Sequence, residues 1–122
     1  MRAIPSRAAA LSAATVAILA LATPLAAHHG WGAYDAAKQL ELAGTVKEIS
    51  YDNPHGTMRL EVPGKTWTVI LAPPSRMRSR GLTPEMVAVG RQVTVVGYPH
   101  RTDEQELRAE RVVAEGKTVE LR

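Results

Sequence analysis

Alternation of apolar and polar side chains at a period of two recurs along the chain, and it restricts the fold more than any other feature. Met58, Leu60 and Val62 alternate with Thr57, Arg59 and Glu61. Trp67, Val69 and Leu71 share one face of a second run, Thr66 to Leu71, and Pro63-Gly64 between the runs is a turn signal. The pair reads as a β-hairpin with one buried face. Ahead of it, Leu40, Leu42, Val46 and Ile49 keep a rough alternation that breaks at Gly44, which predicts one long strand from Leu40 to Tyr51, bent at the glycine. Val93 to Tyr98 and Leu107 to Ala114 are β-like, and Glu115-Gly116 turns the chain into a short strand at Thr118 to Leu121. The stretch Ala36 to Leu42 is ambiguous between one helical turn and the lead into the first strand.

One connection reads as helical. Pro73 to Gly81 enters through proline and stops at glycine, and Thr83-Pro84-Glu85-Met86 reads as a second helical turn with Thr83 as cap. Three strands, a short helix, two strands and an added strand predict an all-β fold: a small five- to six-stranded OB-like Greek-key barrel with one short helix between strands three and four. An SH3-like barrel or a small open sandwich is the competing architecture.

The amino-terminal segment has a different character. Met1 to Arg7 is short and positive, and Ala8 to Ala22 is small and apolar apart from Ser12 and Thr15 before Thr23-Pro24. This is the three-part form of a secretory signal peptide, and its apolar run is short of the roughly 20 residues that span a bilayer. Cleavage after Ala27 places Leu25 at the size-selected position two before the cut, whereas cleavage after Ala26 places Pro24 there. The expected organisation is a signal peptide at 1–27, an N-terminal His/aromatic arm at 28–39 and a barrel at 40–122, with export to the periplasm or beyond and no stable membrane insertion after cleavage. Loss of Arg2 and Arg7 reduces 15 basic residues to 13 against 12 acidic ones, and a net charge of +1 disfavours a nucleic-acid partner.

The chain has no cysteine, which removes disulfides, thiolate metal sites and Cys nucleophiles together. Ser50, Asp52 and His55 lie close in sequence, but no nucleophile-elbow pattern surrounds the serine, and no phosphate loop or His-Glu-x-x-His helix is present. The expectation is a protein that is not an enzyme. What remains is four histidines: His28 and His29 at the expected mature start, His55 in Asn53-Pro54-His55-Gly56, and His100 in Tyr98-Pro99-His100-Arg101. In an OB barrel the first-to-second and fourth-to-fifth connections flank the ligand face, so His55 and His100 can converge there.

An amino-terminal His offers its amine and ring Nδ1 as a chelate, and a start at Ala27 puts His at the third position, which also suits a square-planar ion. The candidate metal site is therefore His28, His29, His55 and His100, with copper(II) favoured, zinc or nickel next, and Asp35 orienting a ligand ring. Each histidine also has a plainer reading, as a solvated terminus, a turn-stabilising ring or an exposed loop side chain. Trp31 and Tyr34 pin the arm by burying aromatic area or wall a ligand pocket. Arg76, Arg78 and Arg80 form a basic patch, with Arg76 and Arg80 candidate anion ligands, or else an ordinary solvated face.

The motifs His28-His29-Gly30-Trp31, Tyr34-Asp35, Gly44-Thr45-Val46, Asn53-Pro54-His55 and Gly97-Tyr98-Pro99-His100 together resemble a family of small exported bacterial proteins classed as a domain of unknown function. The resemblance covers nearly the whole expected mature chain and implies export without implying an activity. More distantly, the strand order is similar to exported OB-fold proteins and to the periplasmic haem chaperone of cytochrome c maturation, whose C-terminal haem-attachment motif this chain lacks.

Three functions are consistent with these features. The leading expectation is a periplasmic metal-binding protein that buffers, delivers or senses copper. The second is a metal-free module that binds a peptide, glycan or envelope protein through Trp31, an outward-facing Trp67 and the arginines. The third is an accessory subunit of a periplasmic redox enzyme.

Overall fold

The structure is a computed structural model that describes residues 2–3 and 30–122. The expected signal peptide, His28 and His29 lie outside the described residues. Six strands form in chain order: β1 (Leu40–Ser50), β2 (Thr57–Val62), β3 (Lys65–Ile70), β4 (Gln92–Pro99), β5 (Glu106–Ala114) and β6 (Lys117–Glu120). A short helix α1 (Pro74–Ser79) and a 3-10 turn (Pro84–Val87) connect β3 to β4, each with proline in its first turn.

The sheet order is β3-β2-β1-β4-β5-β6, antiparallel throughout except where β3 pairs in parallel with β5 and closes the barrel. This is the OB-like barrel expected from the strand order, with its short helix between the third and fourth strands. The long first strand explains the closure. Its Leu40–Thr45 half pairs with β4 and its Thr45–Ser50 half pairs with β2, so β1 changes partner at the bend. Gly44 permits the bend because a Cβ there would lie 2.3 Å from the Glu61 carbonyl oxygen.

Alternating side chains fill the interior. Val46, Leu60, Val69, Val95, Leu107 and Val112 are fully buried, and Met77, Leu82 and Val87 from the β3–β4 connection plug one end. Trp67 lies among them, only 8% exposed. This corrects the expectation of an outward-facing Trp67. It shares the face of Val69 on β3, and burying an indole among these side chains outweighs any surface role.

Candidate functional site

The arm returns to the barrel at one place. A 3-10 turn, Trp31–Ala33, is followed by Tyr34, which forms an isolated antiparallel bridge with His100. The Asp35 N–H donates to the Pro99 carbonyl at 2.9 Å, and the Arg101 N–H donates to that of Ala33 at 2.9 Å. The Tyr34 ring is buried, meets the His100 ring edge-on at 5.3 Å, and its hydroxyl donates to the Glu106 carboxylate at 2.7 Å. Trp31 is half-buried beside it, in edge contact with Tyr34 and Tyr98. The aromatic pair thus pins the arm over β4 and β5.

Two guanidinium groups cover the Trp31 ring. Arg108 on β5 lies 4.4 Å from the ring centroid and Arg122, beyond β6, lies 4.5 Å from it. Arg76 on α1, whose Nη1 donates to the Leu121 carbonyl at 3.2 Å, stands near enough to Arg108 to repel its charge. Burial holds the Arg108 guanidinium below its ordinary range, and repulsion from Arg76 and Arg122 acts in the same direction against the opposing pull of Tyr34. One carboxylate, Glu110, sits 3.8 Å from Arg122 Nη1. The resulting surface is a half-exposed indole framed by cations.

The histidines are placed differently. His100 Nδ1 accepts from the backbone N–H groups of Thr102 at 3.2 Å and Asp103 at 3.0 Å, so the ring proton sits on Nε2, 3.9 Å from Glu106. Its lone pair is engaged within its own loop. His55 lies in the β1–β2 loop, with Nδ1 3.4 Å from the Gly56 carbonyl oxygen. Gly56 exchanges hydrogen bonds with Leu71 and Ala72, whereas the His100 N–H donates to Glu106, which pairs with Thr68. The two loops therefore meet β3 at levels about 10–13 Å apart along the strand. Among the described residues no group of three or more His, Asp or Glu side chains is placed to hold a metal.

Asp35 and the α1 arginines act locally. The Asp35 carboxylate accepts from the Ala37 N–H at 3.0 Å and closes its own turn. Arg80 Nη1 donates to the carbonyls of Glu120 at 3.0 Å and Arg122 at 2.8 Å, so Arg76 and Arg80 together tie α1 to the end of β6. Arg78 instead lies over Tyr51, 5.0 Å from its ring centroid. Arg108 and Arg122, whose guanidinium groups lie over the Trp31 ring, carry no local motif. Only the polar face of β5, opposite Leu107 and Ala109, signals Arg108 in advance. An open groove of about 720 Å³ beside Gly44, Glu61, Lys65 and Gln92 is lined by none of the candidate metal, ligand or anion residues.

Tyr34 makes this face pH-sensitive at the alkaline end. Burial first, and then the hydrogen bond to Glu106, raise its phenol well above the ordinary value of about 10. The folded state keeps the proton that the unfolded chain releases near pH 10, so this contribution is complete below pH 10 and is lost as pH rises above it. Tyr51, also raised chiefly by burial, acts in the same direction. Stability followed by urea denaturation is expected to be flat with respect to Tyr34 up to about pH 10 and then to fall by up to about 1.4 kcal/mol per pH unit. Tyr34→Phe is expected to remove its share of that slope and to cost about 1.5–3 kcal/mol at neutral pH, since it strips a buried donor from a carboxylate. An unchanged alkaline slope in the variant would refute this assignment.

Among known protein families, residues 15–108 match DUF6152, described as a family of unknown function. No curated protein matches the chain.

Proposed function

The chain belongs to that family of unknown function, and from its geometry we propose that it is an exported, non-catalytic and metal-free binding module, whose partner is a peptide, a glycan or an envelope protein. The carrying observation is the Trp31 platform: a half-exposed indole held on the outer face of β4 and β5 by Tyr34 and framed by Arg108 and Arg122. Aromatic and arginine side chains are the groups most often found to anchor recognition surfaces. With Trp67 in the core, Trp31 supplies the indole of this surface. No helix among the described residues is long and apolar enough to cross a membrane.

The copper-binding reading, with zinc or nickel behind it, draws on His28, His29, His55 and His100, of which the first two lie outside the described residues. His100, with its Nδ1 lone pair engaged, is a poor third ligand. A role as accessory subunit of a redox enzyme is compatible with the same surface and adds no site of its own.

One experiment separates these readings. The processed protein is screened against peptide and glycan arrays, and in parallel titrated with copper(II), its mature start having been fixed by intact mass. The binding-module reading expects retained ligands whose affinity drops by about tenfold or more in Trp31→Ala, as loss of a central aromatic anchor does. Retention unchanged by Trp31→Ala overturns it. So does saturable, tight copper binding that His55→Ala abolishes.

A further inference from the structure

We infer that the Trp31 platform recognises the carboxylates of an acidic peptide segment on a protein partner, held between the guanidinium groups of Arg108 and Arg122 with Arg76 alongside. This rests on the binding-module reading and specifies its ligand. Two guanidinium groups from separate elements lie over one indole, Arg108 from β5 and Arg122 from beyond β6, and Arg76 from α1 repels Arg108. Arg76 and Arg122 both repel the Arg108 guanidinium, and a carboxylate placed between Arg108 and Arg122 attracts both.

Guanidinium groups that stack on an aromatic ring direct their N–H edges sideways, in the geometry that pairs two-to-two with a carboxylate. Glu110, 3.8 Å from Arg122, supplies one such carboxylate from within the chain and shows the polarity of partner the cluster accepts.

The same contacts weigh against other anionic partners. Both guanidinium groups lie over the Trp31 ring, which takes from a sugar the aromatic face it would stack on. A membrane surface calls for apolar side chains that insert beside the basic ones. Val89 is the only large apolar side chain that is exposed among the described residues, and it sits in the β3–β4 connection.

The test uses the full processed chain, titrated calorimetrically with a short oligoglutamate peptide, its oligoglutamine counterpart, a phosphoserine peptide, an oligouronate and anionic vesicles. The oligoglutamate is expected to bind, to weaken by about tenfold or more in Arg122→Gln and again in Arg108→Gln, and to weaken as salt shortens the screening length below ~10 Å. Arg122 is an exposed side chain, so its variant retains the fold. Arg59→Gln, an exposed arginine on β2, serves as the control for net charge and is expected to change nothing.

Equal loss in Arg59→Gln, or equal binding of oligoglutamine, overturns the inference. Preference for the phosphopeptide, the oligouronate or vesicles assigns the cluster to that partner and overturns it as well, while the binding module itself stands. Absence of oligoglutamate binding alongside array ligands that still require Trp31 overturns only the acidic specificity. Absence of any Trp31-dependent ligand removes both.

Discussion

Gly97→Ala is expected to lower the thermal unfolding midpoint by roughly 12–24 °C, the shift that about 3 kcal/mol produces in a domain of this size. A Cβ at Gly97 would lie 2.1 Å from the Arg108 carbonyl oxygen, 2.8 Å from its carbonyl carbon and 2.9 Å from Leu107 Cδ2. The first two are backbone atoms of β5, the strand that also pairs with β3 and β6, so relief requires moving a ladder and not a rotamer. The register of β4 on β5 shifts between Val96 and Gly97, a bulge that depends on this close approach. Gly32→Ala is the control, because nothing lies within 4 Å of its Cβ position. Differential scanning calorimetry of the two variants decides the matter, and a shift in Gly97→Ala no larger than that of the control would refute the argument.

Trp67→Ala is expected to remove about 3–5 kcal/mol, the usual range for emptying a large aromatic site in a packed core. Native domains hold only about 5–15 kcal/mol in total, so the variant should approach unfolding at physiological temperature. Trp67 stands opposite Leu60 in the β2–β3 hairpin, and the Lys65 ammonium lies 3.6 Å from its ring centroid. The interior there loses both packing and a cation–ring contact. Guanidinium denaturation measures the loss, and a value below about 1 kcal/mol would mean that the site collapses around the gap. Trp31→Ala is expected to leave stability far less affected, since Trp31 is half-exposed whereas Trp67 is buried in the core.

Much of the barrel is legible in the amino-acid sequence. The alternation of Met58, Leu60 and Val62 and the Pro63-Gly64 turn anticipated the β2–β3 hairpin, and Gly44 anticipated the bend in β1. Even the direction of Trp67 was present in the pattern, since it shares its parity with Val69. The expectation of an outward indole gave way because strand periodicity outranks a preference for aromatic anchors at surfaces.

The candidate site was much less legible. Trp31 and Tyr34 read in the sequence as arm anchors or as walls of a ligand pocket, and in the structure they pack against Tyr98 and His100. Arg108 and Arg122 were missed, since they are 14 positions apart in sequence and meet only because β6 folds back onto β5. Conversely, Asn53-Pro54-His55 and Pro99-His100 look alike in sequence but enter the barrel at different levels of β3, a distinction set by the parallel register of β3 on β5.

The indole and the two guanidinium groups over it come from three stretches of chain: the arm, the fifth strand and the residues beyond the sixth. A partly folded molecule lacks at least one of them. On the proposed reading folding and recognition are coupled, because Arg122 reaches the Trp31 ring beside Arg108 only once β6 has paired with β5.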